Sequence, residues 1–234
     1  MAGFRSPTPP FSVALGLAGT SVESMRSIEV FADVLCPFTH AGLRTLVDRR
    51  RERGDTEPRL RIRAWPLELI NGRPLDGDHI AAEVRALRAS VRPDLFGGFT
   101  VESFPSTAMA AYALTVAADR AADPVLIEEI GMALRDAVFE DGVDIGRVEV
   151  VKAIGDRFGL TPCSSVDTRA AVQSDWDEGK SRGVIGSPHF FAADGGSWFC
   201  PSLDIRRDEN GEFLVDWKPD VGVFLERVGL SDLA

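Results

Sequence analysis

Asp33-Val34-Leu35-Cys36-Pro37-Phe38-Thr39-His40 sits between two segments of opposite character. Before it, Ile28-Glu29-Val30-Phe31-Ala32 alternates in polarity, as a half-buried strand does. After it, Gly42-Leu43-Arg44-Thr45-Leu46-Val47-Asp48-Arg49 carries apolar residues at helical spacing. The junction is therefore a strand running into a helix, with Cys36 at the helix start. The free N–H groups and the positive end of the helix dipole favour thiolate over thiol there. Cysteines so placed have pKa values lowered to roughly 3.5–7.5 from about 8.5. Pro37 suits the first helical position, where its missing N–H costs nothing. Thr39 lies one turn from the sulfur and can donate its hydroxyl to it. His40, if protonated, would stabilise the anion further or shuttle a proton. The expectation is a nucleophilic thiol, the alternative a small buried residue at a tight turn. Thr39 stands where a C-x-x-C motif would carry its second sulfur, so Cys36 has no dithiol partner in the motif. Asp33 has two readings, a carboxylate that raises the sulfur's pKa or a turn residue before the helix, and the turn role is preferred.

Downstream, Pro58-Arg59-Leu60-Arg61-Ile62-Arg63-Ala64-Trp65 alternates as a second strand, giving β-α-β and hence a parallel pair. Residues 66–78 are expected to be loop, with Asn71-Gly72 as a turn. The segments 79–91, 104–121, 124–139 and 146–158 all carry helical periodicity. Ser103-Phe104-Pro105 and Asp123-Pro124 are expected as helix starts and Gly159 as a stop. This is a helical block of about 80 residues inside the chain, an insertion by the order of elements. Helix resumes over 165–181. His189-Phe190-Phe191-Ala192 and Ser197-Trp198-Phe199 then form a hairpin about Asp194-Gly195-Gly196, and Val221 to Val228 closes the chain as a helix. The fold class is α/β: a four-stranded mixed sheet covered by helices, with core segments 27–78 and 160–234 and an all-helical insertion over 79–159.

The 234 residues carry a net charge of −10, with 44% hydrophobic and 26% charged residues. That is a globular composition, and the charge argues against nucleic acid or an anionic membrane surface as a partner. Arginine supplies 23 of the 26 basic residues, and Arg49-Arg50-Arg51 with Arg53 is expected as a solvated helix end. Three cysteines, Cys36, Cys163 and Cys200, form no disulfide framework and suit a reducing compartment, the cytoplasm. The histidines His40, His79 and His189 lack metal-ligand spacing. Residues 1–26 hold only a weak apolar run, Phe11 to Gly19, and are expected to be a flexible extension rather than a secretory signal.

The order of elements, with the motifs Asp33 to Phe38, Gly183-Val184-Ile185-Gly186-Ser187-Pro188-His189-Phe190-Phe191, and Phe139-Glu140-Asp141-Gly142-Val143-Asp144-Ile145, resembles the DsbA-like branch of the thioredoxin superfamily. Within it the sequence is similar to the FrnE-like proteins and to the 2-hydroxychromene-2-carboxylate isomerase and kappa-class glutathione transferase group. The resemblance implies a thioredoxin-like core interrupted by a helical domain, Cys36 as nucleophile and Pro188 as a cis-proline facing it. A cis-proline there would present the N–H and C=O of Ser187 to an extended substrate. Pro37, Phe38, Ser187, Pro188 and His189 are then the expected substrate-binding residues, although His189 equally suits packing on the hairpin. With Thr39 in the resolving position, the implied chemistry is monothiol. Cys36 attacks a disulfide or thiolated protein or small molecule, and an external low-molecular-weight thiol, glutathione or mycothiol, regenerates it. No tightly bound cofactor is expected, and the chain would be a monomer or homodimer. The rival expectations are a glutathione-dependent isomerase or transferase, with Phe38, Trp65 and Phe104 lining a second pocket, and a thioredoxin-fold binding protein without turnover.

Overall fold

The computed structural model describes residues 27–230; the expected N-terminal extension, 1–26, lies outside the described residues, as do 231–234. Strand β1 (Ser27–Ala32) leads through α1 (Pro37–Glu52) into β2 (Arg59–Ala64), and the two strands pair in parallel, Val30 against Ile62. Next come α2 (Leu67–Asn71), α3 (Gly77–Ser90), α4 (Met109–Ala121), α5 (Pro124–Phe139), α6 (Val148–Arg157) and α7 (Ser165–Ser181). Strand β3 (His189–Phe191) then runs antiparallel to β1 with Phe31 against His189, and β4 (Ser197–Phe199) runs antiparallel to β3. The order is β2-β1-β3-β4, a mixed four-stranded sheet. A separate ribbon of β5 (Leu203–Arg207) and β6 (Phe213–Trp217) precedes α8 (Val221–Arg227).

One sheet face packs Val30, Leu60 and Phe190 against Leu43, Leu46 and Val47 of α1 and Phe224 of α8. Each such side chain contributes about 1.5–3 kcal/mol of hydrophobic stabilisation when fully buried. On the other face, Phe31 and Trp65 meet Trp176 of α7. Gly179 lets α7 come this close, because a Cβ there would lie 2.5 Å from the Trp65 ring. The helical block is not set apart from this core. Val34, Leu35, Cys36 and Phe38 belong to the same apolar cluster as Leu87 of α3, Leu114 of α4, and Ile130 and Leu134 of α5.

Three local expectations are corrected. The helix expected from Ser103-Phe104-Pro105 begins at Met109, where Glu68 Oε1 accepts from the Ala108 N–H and the Thr107 hydroxyl, each at 3.0 Å. The cap is thus supplied by a carboxylate distant in sequence. Residues 66–78 are not all loop: α2 forms and ends on Gly72 at φ 65°. The arginine run is not wholly solvated, since Arg50 is buried and donates both to Glu128 of α5 and to the Pro58 carbonyl. The ribbon β5–β6 had no expectation at all. Among the described residues no helix is long and apolar enough to cross a membrane.

Candidate active site

Cys36 occupies the N-cap of α1 in extended backbone conformation (φ −85°, ψ 116°), with Pro37 opening the helix. Its Sγ donates to the Ser187 carbonyl oxygen at 3.4 Å, and the Ser187–Pro188 peptide is cis. The Ser187 hydroxyl accepts from the Asp33 N–H at 2.8 Å and lies 2.7 Å from Thr39 Oγ1. If the Ser187 hydroxyl donates to Thr39, the Thr39 hydroxyl is left to point at the sulfur. Thr39 reaches Cys36 through both that hydroxyl and its backbone N–H, the two groups that would stabilise an anion there.

The expected low-pKa thiolate is not what this enclosure favours. Cys36 is 4% exposed, and burial, joined by the negative field of Glu83, pushes its thiol up to about 12. The rise from 9.0 corresponds to about 4 kcal/mol against the anion. The helix start and Thr39 act in the expected direction, but desolvation outweighs them. In this closed state the sulfur is a neutral donor, and the Ser187 carbonyl, expected to face a substrate, serves as its acceptor.

Asp33 fills the turn role. Its Oδ1 accepts from the Leu35 N–H at 2.7 Å and its Oδ2 from the Leu67 N–H at 2.5 Å, tying the turn to the start of α2. Burial pushes its carboxyl up to about 6. Behind the turn, the fully buried Arg135 of α5 donates to the Asp33 carbonyl at 3.1 Å and to the Gly131 carbonyl at 2.7 Å.

His40 does not face the sulfur as expected. Its Nε2 lies 2.6 Å from Glu140 Oε1, while its ring stacks on Phe139 and meets the Phe96 edge. Burial lowers its pKa against the pull of Glu140. Glu140 also accepts from the N–H groups of Phe96 and Gly97. Backbone contact sets that geometry: a Cβ on Gly98 would lie 2.3 Å from the Glu140 carbonyl oxygen, and one on Gly142 2.3 Å from that of Gly98. The motif 139–145 thus buttresses the first turn of α1.

His189 packs on the hairpin. Its Nδ1 accepts from the Ile185 N–H at 3.3 Å, its Nε2 lies 2.9 Å from Ser197 Oγ, and its ring stacks on Phe191. Phe38 meets Phe213 of β6 edge-on, Trp65 lies in the separate cluster with Phe31, and Phe104 packs on Phe99. These three aromatics therefore do not form one pocket wall. All three cysteines are free. Cys163 accepts from Arg120 at 3.4 Å and lines an apolar cavity of about 530 Å³ between α4, α6 and α7. Cys200 donates its N–H to the Pro188 carbonyl at 2.9 Å, and burial pushes its thiol up to about 11. No group of three or more His, Cys, Asp or Glu among the described residues could hold a metal ion. Glu83, Arg135 and Phe213 escaped the sequence reading, because nothing in their local patterns marks them; Glu140 stood in the motif 139–145 without an assigned role.

A cytosolic disulfide reductase from Pseudomonas aeruginosa is similar in structure at 17% identity and TM-score 0.52, over 81% of this chain and 88% of that one. The same reductase solved with GSH gives 18%, 0.51, 72% and 86%. A 2-hydroxychromene-2-carboxylate isomerase gives 13%, 0.51, 74% and 88%. At such identities the likeness concerns the fold alone. No curated protein matches the sequence. The family model of the DSBA-like thioredoxin domain matches residues 27–205, and the chain belongs to that family.

Proposed function

We propose that this protein is a thiol-disulfide oxidoreductase of monothiol type, with Cys36 as nucleophile and an external low-molecular-weight thiol as resolver. The observation that carries this reading is a single sulfur at the start of α1, set against the cis Ser187–Pro188 peptide, with Thr39 where a dithiol enzyme has its second cysteine. In the first half-reaction Cys36 attacks a disulfide, or the mixed disulfide of a protein or small molecule, and expels a thiol. In the second, glutathione or mycothiol attacks the mixed disulfide on Cys36 and frees it. Thr39 holds the developing thiolate through its hydroxyl and N–H, and the Ser187 backbone docks the partner once the sulfur has left its carbonyl. The likeness to a disulfide reductase solved with GSH supports a thiol cosubstrate. The reading places the protein in the cytoplasm as a monomer or homodimer.

A second reading, a glutathione-dependent isomerase, draws on one observation. The neutral Cys36 thiol is a hydrogen-bond donor, the state suited to orienting the thiolate of a bound glutathione. Cys36→Ser separates the two. Assayed on glutathione and mycothiol mixed disulfides and on an aromatic isomerisation substrate, the redox reading expects loss of the former activity. Isomerase activity retained in the serine variant would reverse the order. No turnover on any substrate, with Cys36 inert to alkylation, would leave a binding protein.

A further inference from the structure

The cavity between α4, α6 and α7 has no part in the chemistry at Cys36, and none of the residues around that sulfur lines it. Its volume of about 530 Å³ falls within the range of small-molecule sites, roughly 300–1,000 Å³. Met109, Val148 and Ser165 open the three helices and all border it, so it forms where three first turns meet. Val151 of α6 and Pro162, ahead of α7, continue the apolar wall. Ala110 and Ala113 share one face of α4, and their small side chains leave the room that larger ones would fill. Val148 remains 70% exposed at the rim.

The charges of the lining have one sign. Lys152 of α6 and Arg169 of α7 line the cavity and no carboxylate does, in a chain whose net charge is −10. The acids nearby are engaged. Asp156 accepts from Lys152 at 2.7 Å, while Asp167 pairs with Arg120 at 3.5 Å and accepts from the Ser164 hydroxyl at 2.8 Å. Arg169, by contrast, makes no hydrogen bond or ion pair among the described residues. Within the wall, the Cys163 N–H donates to the Ala113 carbonyl at 2.9 Å and the Thr168 hydroxyl to the Ser164 carbonyl at 2.8 Å, so both are satisfied. Charges of one sign beside apolar walls focus their field into a cleft and draw in the opposite charge. An unpaired guanidinium offers a carboxylate two parallel N–H donors.

We propose that this cavity is a second binding site, for an amphipathic anion whose unbranched apolar tail fills the space between the helices and whose carboxylate pairs with Arg169, beside Lys152. The apolar walls select the tail and the two cations select the head. A carboxylate there gives Arg169 its partner without breaking a bond within the protein, whereas a cationic head of the same length meets Arg169 and Lys152 as like charges. The inference stands apart from the redox reading, since it involves neither Cys36 nor turnover. Cys163 lines the cavity and is half-buried, while Cys36 and Cys200 are buried, so its thiol reports occupancy.

The test is calorimetric titration of the whole protein with dodecanoate below its micellar concentration, with Cys163 alkylation by iodoacetamide followed in parallel by the mass of its peptide. Dodecanoate should bind saturably and slow that alkylation. Decanoate, two CH₂ groups shorter, should bind about tenfold more weakly. Dodecyltrimethylammonium should bind about tenfold more weakly still than dodecanoate, or not at all. Arg169→Ala, at an exposed position, should cost about tenfold or more in dodecanoate affinity. Ala113→Leu places a good helix former in the cavity and should abolish binding, with the circular dichroism unchanged. Absence of saturable binding overturns the proposal, and so does dodecyltrimethylammonium binding equally well or dodecanoate affinity unchanged in either variant. A wild-type chain that sediments as a dimer, with Cys163 protected and no response to dodecanoate, would give the cavity to a second copy and overturn it as well.

Discussion

Thr39→Val removes one hydroxyl from a fully buried position with little change of volume. In the neutral state the loss is small, because the Cys36 thiol already donates to the Ser187 carbonyl. The anion has no use for that acceptor and depends on donors, of which the Thr39 hydroxyl is one. A hydrogen bond to a charged group is worth about 1.5–3 kcal/mol. At 1.36 kcal/mol per unit, that raises the thiol pKa by about 1–2 and lowers the thiolate fraction near neutral pH about 10- to 100-fold. The same change deprives the Ser187 hydroxyl of its partner at 2.7 Å, leaving it the Asp33 N–H alone. That costs about 1–3 kcal/mol of stability, or roughly 2–12 °C in Tm for a chain of this size. Alkylation of Cys36 under pseudo-first-order conditions measures the first effect and calorimetry the second. Thr39→Ser should restore both. An alkylation rate within twofold of wild type, alongside the lowered Tm, would show that Thr39 holds the turn without stabilising the sulfur, and would refute the reasoning.

Other expectations follow from the buried charges and close contacts. Folded-state pKa values raised by burial, to about 6 at Asp33 and about 7 at Glu83, make each group stabilising in its protonated form. That contribution is present below the unfolded values near 4 and is lost as pH rises through 6–7, on the order of 3 kcal/mol per group. The Tm of Glu83→Gln relative to wild type should therefore be higher at pH 8 than at pH 4.5; a difference independent of pH would count against the buried charge. Glu128, 2% exposed, accepts from Arg50, Arg59 and the Leu60 N–H, so Glu128→Ala strands a buried guanidinium and should cost about 3–5 kcal/mol in chemical denaturation. Gly42, inside α1, has nothing within 4 Å of a new Cβ, whereas Gly98 would drive one into the Glu140 carbonyl. Gly42→Ala should stabilise by about 0.5–1 kcal/mol. Gly98→Ala should destabilise by more than 1 kcal/mol and loosen His40 from Glu140, seen as a shifted His40 pKa by NMR; an unchanged His40 would argue against the buttress.

Much of the architecture was legible because its signals are local. The Asp123 side chain caps α5 by accepting from the Val125 and Leu126 N–H groups, and Pro124 opens that helix, all within four residues. Asp194-Gly195-Gly196 turns the hairpin with Gly195 at φ 85°, a conformation its sequence announces. Where a boundary depends on a distant partner, the local pattern misleads. The start of α4 waits for Glu68, and Arg50 leaves the solvated run for Glu128. The strands of the β5–β6 ribbon are short and mixed in polarity, with no periodicity long enough to declare them.

By itself the amino-acid order placed one sulfur at the opening of a helix, put a hydroxyl where a second sulfur would stand, and laid down β-α-β, a helical block and a hairpin. It did so because caps, turns and amphipathic spacing act over a few residues. Only the tertiary structure decided the ionisation of that sulfur. Desolvation and Coulomb fields sum over everything that encloses an atom, whatever its place in the chain. Ser187 accepts from the Cys36 sulfur, and Ile80, Val84 and Leu87 of α3 share its apolar cluster; burial by these distant parts of the chain turns an expected anion into a neutral thiol.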